Sequence, residues 1–176
     1  MRILVTGFGS FPGVPHNPSL DIIAAVEGRR VGDAQLVTRA IPVSWVDGPD
    51  VTVAAARELG AQLVIGIGVA AQREGVTVEL RGRRAWSQAP DADGAKCPGL
   101  DGPDLVPATL DVERFATALG ATLSDDAGDY VCNAWLYRVA QALEVPVGFV
   151  HVPADGMDPD RLVEGVRALL EASRTA

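Results

Sequence analysis

The chain has 176 residues, 48% of them apolar, with a formal net charge of −8 and a pI near 4.7. That length suits one domain over residues 1–176 around a single core, and the negative balance repels phosphate backbones and anionic headgroups, which argues against nucleic acid and membrane surfaces as partners. No apolar run approaches the roughly 20 residues of a membrane span, and MRILVTGFG runs straight into a strand-and-turn pattern without a cleavable signal region, so a cytoplasmic protein acting on a small neutral or basic substrate is expected.

In chain order, RILVTG (2–7) is a short apolar run closed by glycine and reads as a buried strand. SLDIIAAVEG (19–28) has helical spacing, with Asn17, Pro18 and Ser19 as cap and first turn. QLVTRAIPV (35–43) reads as a second strand, DVTVAAARELG (50–60) as a helix capped by Asp50 and stopped by Gly60, and AQLVIGIG (61–68) as a fully buried strand. VTVELRGRRAW (76–86) alternates, and the Pro/Gly/Asp-rich stretch from about 87 to 108 reads mostly as loop. VERFATAL and GDYVCNAWLYRVAQAL (128–143) read as helices, VPVGFVHVP (145–153) as a strand and DPDRLVEGVRALLEAS (158–173) as a closing amphipathic helix. Strands alternating with helices predict an α/β fold with a mostly parallel central sheet, whose sites gather where the strands end, just after residues 6, 67 and 150.

Only two cysteines, Cys97 and Cys132, and two histidines, His16 and His151, are available. A reducing cytosol disfavours a disulfide between the two thiols, and neither C-x-x-C nor H-x₃-H spacing occurs, so no metal is expected. Cys132 shares a helix face with Trp135, Leu136, Val139 and Leu143, which fits a small buried hydrophobe. Its place near the helix start, where unpaired N–H groups and the dipole favour a thiolate, fits a nucleophile. A nucleophile needs a base, and His151, at the carboxyl end of VGFV, is better placed than His16 in its proline-bounded loop. Thr77 and Glu79 fall on one face of VTVEL, opposite Val76, Val78 and Leu80. Glu79 is then a carboxylate in an apolar strand, to be paired with an imidazole, exposed at an edge, or bound by Arg81 or Arg83. Asp101, Asp104, Glu113 and Glu164 fall in loops or on polar helix faces. In TGFGSFPGVPHNPS (6–19) the glycines suggest a dinucleotide loop, but Pro12 removes a donor and the G-x-G-x-x-G spacing is absent. Phe8 and Phe11 fit the walls of a small apolar pocket or ordinary core positions.

Together these segments resemble the pyroglutamyl-peptidase I family, intracellular cysteine peptidases that remove an N-terminal pyroglutamyl residue. ILVTGFGSFPGVPHNPS is similar to that family's G-F-x-x-F-x-G…N-P-S, IPVSW to L-P-V-S-Y, SDDAGDYVCNAWLY to S-x-x-A-G-x-Y-V-C-N-x-x-x-Y, and GFVHVP to F-x-H-V-P, in the family order and over nearly the whole chain. The resemblance implies a three-layer α/β/α sandwich, with Cys132 as nucleophile, His151 as general base and Glu79 orienting the imidazole. It implies that Phe8 and Phe11 flank the lactam, that Asn17 fixes their loop and that the Val69 backbone hydrogen-bonds the lactam. No cofactor is implied; the partner is a peptide with an N-terminal pyroglutamate, and a homo-oligomer is left open.

After Glu79 the family usually continues R-V-A-I-N-…-D-D-A-R-I-P-D-N-x-G, whereas this chain has LRGRRAWSQAPDADG and lacks the D-D-A-R arginine. Arg81, Arg83 and Arg84 are the candidates to replace it. Rival readings follow: a hydrolase of another cyclic or N-blocked acyl amide, or a protein that binds pyroglutamyl ligands without efficient turnover.

Overall fold

The structure, a computed structural model, describes residues 1–11 and 15–173. Its elements in chain order are β1 (Arg2–Phe8), α1 (Pro18–Val26), β2 (Arg30–Val31), β3 (Ala34–Ile41), α2 (Asp47–Leu59), β4 (Leu63–Val69), β5 (Thr77–Glu79), β6 (Arg81–Arg83), β7 (Leu105–Pro107), α3 (Val112–Leu119), β8 (Thr122–Ser124), α4 (Val131–Ala142), β9 (Val147–Val152) and α5 (Pro159–Ser173). Seven strands form one sheet in the order β2-β3-β1-β4-β9-β5-β8. Its centre, β3-β1-β4-β9, is parallel, while β5 runs antiparallel to β9, and β2 antiparallel to β3.

Strand alternation divides the sheet residues between two cores. Ile3, Val5, Ile65, Ile67, Val78, Val150 and Val152 face α1, α3 and α5, where Ile22, Val26, Phe115, Leu119, Leu162 and Val166 meet them. Leu4, Phe8, Val64, Val147 and Phe149 face α2 and α4, against Ala55, Ala56, Ala134, Trp135 and Val139. The result is the α/β sandwich with a mostly parallel central sheet, with helices on both faces.

Local chemistry sets the element ends. Asn17 caps α1 by accepting from the Ser19 N–H at 3.1 Å. Gly60, at φ 57°, ends α2 in the left-handed region that glycine occupies without a Cβ penalty. Asp50 is not the α2 cap, however: the helix starts at Asp47, and the Ser44 hydroxyl accepts from the N–H groups of Val46 and Asp47 just before it.

The alternating segment 76–86 is two strands in different sheets. After Glu79 the chain leaves β9 and β8, and β6 pairs with β7 while lying against α4. Gly82 permits that approach, since a Cβ there would stand 2.6 Å from the Tyr137 nitrogen. Asn133, fully buried on α4, anchors the segment: its side chain accepts from Arg83 N at 2.7 Å and donates to the carbonyls of Arg83 and Ala85, each at 2.8 Å. The loop read from 87 to 108 thus contains β7. It also contains a buried carboxylate, Asp91, which accepts from the N–H groups of Trp45, Asp93 and Ala95 and so ties the loop to the approach to α2.

Candidate active site

β1, β4 and β9 end on the same edge of the sheet, and the chemistry collects there as parallel topology requires. His151, the fifth residue of β9, is 4% exposed. It lies opposite Thr77 of β5, so Thr77, Glu79, Phe149 and His151 share the face that looks toward α4. Glu79 is fully buried and its Oε1 meets His151 Nδ1 at 2.7 Å. Burial alone would raise the Glu79 carboxyl, but the hydrogen bond and charge of His151, with Ser124 and Arg73 behind them, hold it below its ordinary value of 4.5.

Cys132 is the second residue of α4 and half-buried. No side chain caps this helix, so the N–H groups of its first turn are left without a side-chain acceptor. The thiol lies over Gly68 of β4: a Cβ at that position would stand 2.8 Å from Cys132 Sγ. Gly68 pairs across the sheet with His151, which brings sulfur and imidazole to neighbouring strands. Burial, assisted by the Glu79 charge and opposed by Arg73, pushes the thiol up to about 12. This runs against the thiolate that the helix start alone predicts, with desolvation of the sulfur as the largest cause. The shift favours the thiol at rest, which needs a base at the moment it reacts.

An aromatic row backs the cleft. The Phe8 and Phe149 rings are 6.3 Å apart, and Phe149 meets His151 edge-on at 5.0 Å. Phe11 is half-buried against the same core. Asn17, 1% exposed, donates to the Gly9 carbonyl and accepts from Ser19, which in turn donates to the Phe8 carbonyl. That web ties Phe8 and Gly9 to the start of α1. Pro12, read as removing a donor from this loop, lies outside the described residues. β4 pairs with β1 as far as Ile67 but with β9 as far as Val69, so the Val69 backbone lies beyond the last β1 pair.

The partner of Glu79 that sequence reasoning missed is Arg73, in the connection from β4 to β5. Its Nη1 donates to Glu79 Oε1 at 2.5 Å and to Thr77 Oγ1 at 2.7 Å. Arg83 and Arg84, candidates for a basic group at the site, are instead ion-paired with Asp126 and Asp104. Arg81 and Arg83 do not bind Glu79, because the chain turns away from the main sheet at Leu80. His16 is engaged at the surface with Asp21, 2.7 Å away, and takes no part in the site. Both cysteines are free, and among the described residues no cluster of three or more His, Cys, Asp or Glu side chains is arranged to hold a metal ion.

The family model described as pyroglutamyl peptidase matches residues 1–164. The chain belongs to the pyroglutamyl peptidase family. Family members with similar sequences include the pyrrolidone-carboxylate peptidases of Enterobacter sp. strain 638, 30% identical over 99% of this chain and 91% of that protein, and of Cupriavidus pinatubonensis, 33% identical over 86% and 77%. Among solved structures of the family, the pyrrolidone carboxyl peptidase of Pyrococcus furiosus superposes with a TM-score of 0.85 at 25% identity over 99% of each chain. Pyroglutamyl peptidase I of Bacillus amyloliquefaciens shares the fold at a TM-score of 0.86, 24% identity and coverage of 98% and 97%. Pyroglutamyl peptidases are cysteine peptidases, and in this member the sandwich brings one cysteine, one histidine and one buried glutamate to the same end of the sheet. No helix among the described residues is long and apolar enough to cross a membrane.

Proposed function

We propose that this chain hydrolyses the bond after an N-terminal pyroglutamyl residue through a Cys132-His151-Glu79 triad. The observation that carries the proposal is the 2.7 Å contact between His151 Nδ1 and Glu79 Oε1, with the Cys132 thiol over the glycine that pairs with His151. Glu79 accepts from Nδ1 and so leaves Nε2 as the basic nitrogen. His151 Nε2 takes the thiol proton as Cys132 Sγ attacks the carbonyl joining the lactam ring to the next residue. The C–S bond forms, the carbonyl oxygen becomes an oxyanion, and the uncapped N–H groups at the start of α4, that of Cys132 among them, stabilise it. His151 then protonates the departing amine as the C–N bond breaks. Water, deprotonated by the same imidazole, cleaves the thioester and releases pyroglutamate.

Phe8 and Phe11 form the apolar walls for a neutral lactam, Asn17 holds the loop that carries them, and the Val69 backbone offers hydrogen bonds to the ring amide. A free N-terminal ammonium entering such a slot loses its hydration without a counter-charge, which supplies the selectivity. The resting thiol and the absence of a disulfide suit a reducing compartment, so we place the protein in the cytoplasm. The test is release of fluorophore from a pyroglutamyl-coumarin amide in reducing buffer. Wild type turns over; Cys132→Ala and His151→Ala stay folded and fall to the background rate. Activity retained in either variant would refute the assignment, and a panel of other acyl-coumarin amides reads out any different acyl preference.

A further inference from the structure

Glu79 Oε1 serves three donors, of which the Thr77 hydroxyl, at 3.3 Å, is the most distant. His151 Nδ1 lies 2.7 Å from it and Arg73 Nη1 2.5 Å, so imidazole and guanidinium meet on one carboxylate oxygen. Arg73 is held there from three sides. It donates to Thr77 Oγ1 on β5 at 2.7 Å, to Ser124 Oγ on β8 at 3.4 Å, and through Nη2 to the Asp126 carbonyl in the segment leading to α4. The other groups facing the pair are the Cys132 thiol from α4 and the Phe149 ring from His151's own strand. The Asp126 carboxylate is directed to Arg83 and the Gly128 N–H instead.

We propose that Arg73 is a positioning residue for the reaction: it fixes Glu79 Oε1 beneath His151 Nδ1 and so holds the imidazole in the orientation that accepts the Cys132 proton. The inference rests on the reading of His151 as the base. A carboxylate held by the imidazole and one weak hydroxyl contact is free to turn about its side chain, and a planar guanidinium anchored on Thr77, Ser124 and the Asp126 carbonyl removes that freedom. Arg73 reaches the imidazole through Glu79, so its effect falls on the chemical step and not on substrate capture.

The experiment compares wild type, Arg73→Gln and Arg73→Lys. The chain has two histidines, one of them at the surface, so the His151 ring signals are followed directly by NMR at fixed pH, with no need for turnover. In Arg73→Gln those signals are displaced from wild type, and kcat falls on the order of tenfold or more with KM little changed. Arg73→Lys keeps a charged donor, returns the signals toward wild type and recovers part of kcat. His151 signals in folded Arg73→Gln that coincide with wild type overturn the proposal. So do Arg73→Lys signals displaced from wild type with no recovery of kcat, which decides the matter alone if the glutamine variant does not fold. Absence of turnover in wild type contradicts the peptidase reading and leaves the NMR comparison to judge Arg73.

Discussion

Replacing Gly68 by alanine adds one methyl group where the structure has no room for it. Its carbon would stand 2.8 Å from Cys132 Sγ, 2.9 Å from Phe149 Cζ and 3.3 Å from Phe149 Cε1, whereas non-bonded heavy atoms settle at about 3.5–4.0 Å. The Phe149 ring is itself packed against Trp135 at 5.3 Å and His151 at 5.0 Å, so the strain is relieved mainly at the thiol. The thiol must therefore retreat by about 1 Å. A displacement of that size costs roughly 10²-fold in rate, equivalent to about 2.7 kcal/mol in the barrier. Overpacking itself costs about 1–3 kcal/mol of stability, which at this chain length lowers the melting temperature by roughly 2–4 °C per kcal/mol and leaves the protein folded. The assay is kcat/KM on the pyroglutamyl-coumarin amide beside a thermal melt. Gly66→Ala is the control: its methyl would meet Phe149 and Trp135 at 2.6–2.7 Å with the thiol absent from its nearest contacts, so it loses stability more than rate. A Gly68→Ala enzyme within about twofold of wild-type kcat/KM would refute the placement of the thiol over that strand.

Glu79→Gln lowers kcat by about 10³-fold or less, a smaller loss than either Cys132→Ala or His151→Ala, because the group orients the base and does not react; wild-type kinetics would remove Glu79 from the triad. The same variant reports on pH. Because the folded carboxyl is held below its ordinary value of 4.5, its contribution to stability is complete above that value and is lost as pH falls through the folded one. The stability gap between wild type and Glu79→Gln in denaturant titrations therefore narrows from pH 7 to pH 3, and a constant gap contradicts the linkage. Asn133→Ala strips partners from three backbone groups of 83 and 85, costs about 3 kcal/mol and lowers the melting temperature by about 10 °C. A change under about 2 °C would show that β6 is held by other contacts.

The order of strands and helices was legible because buried parallel strands are unbroken apolar runs and the helices carry caps or stops, as Asn17 and Gly60 do for α1 and α2. β8 was not, since three half-exposed residues at a sheet edge carry no apolar pattern. The division of 76–86 into β5 and β6 is a tertiary event: Leu80 N bonds Ser124 and its carbonyl bonds Ala108, while Gly82 and Asn133 draw the following strand onto α4. In the site, Cys132, His151 and Glu79 were each marked by residue type and position, and Glu79 by the cost of a carboxylate in an apolar strand. That cost also demanded a partner, and Arg81 and Arg83 were considered because they are near in sequence. Arg73, six residues before Glu79, reaches it because the loop from β4 folds back over the end of β5, and spacing along the chain does not encode that return. Nor does sequence reveal the protonated state of Cys132, which depends on how completely α4 and β4 exclude water from the sulfur.

Hydrolysis of a pyroglutamyl-coumarin amide by wild type beside Cys132→Ala, with both proteins verified as folded by thermal melt, decides the assignment of activity and nucleophile together. Fluorophore release by wild type and none above background from Cys132→Ala is the expected result. Equal rates in the two proteins, or silence from folded wild type, would contradict it.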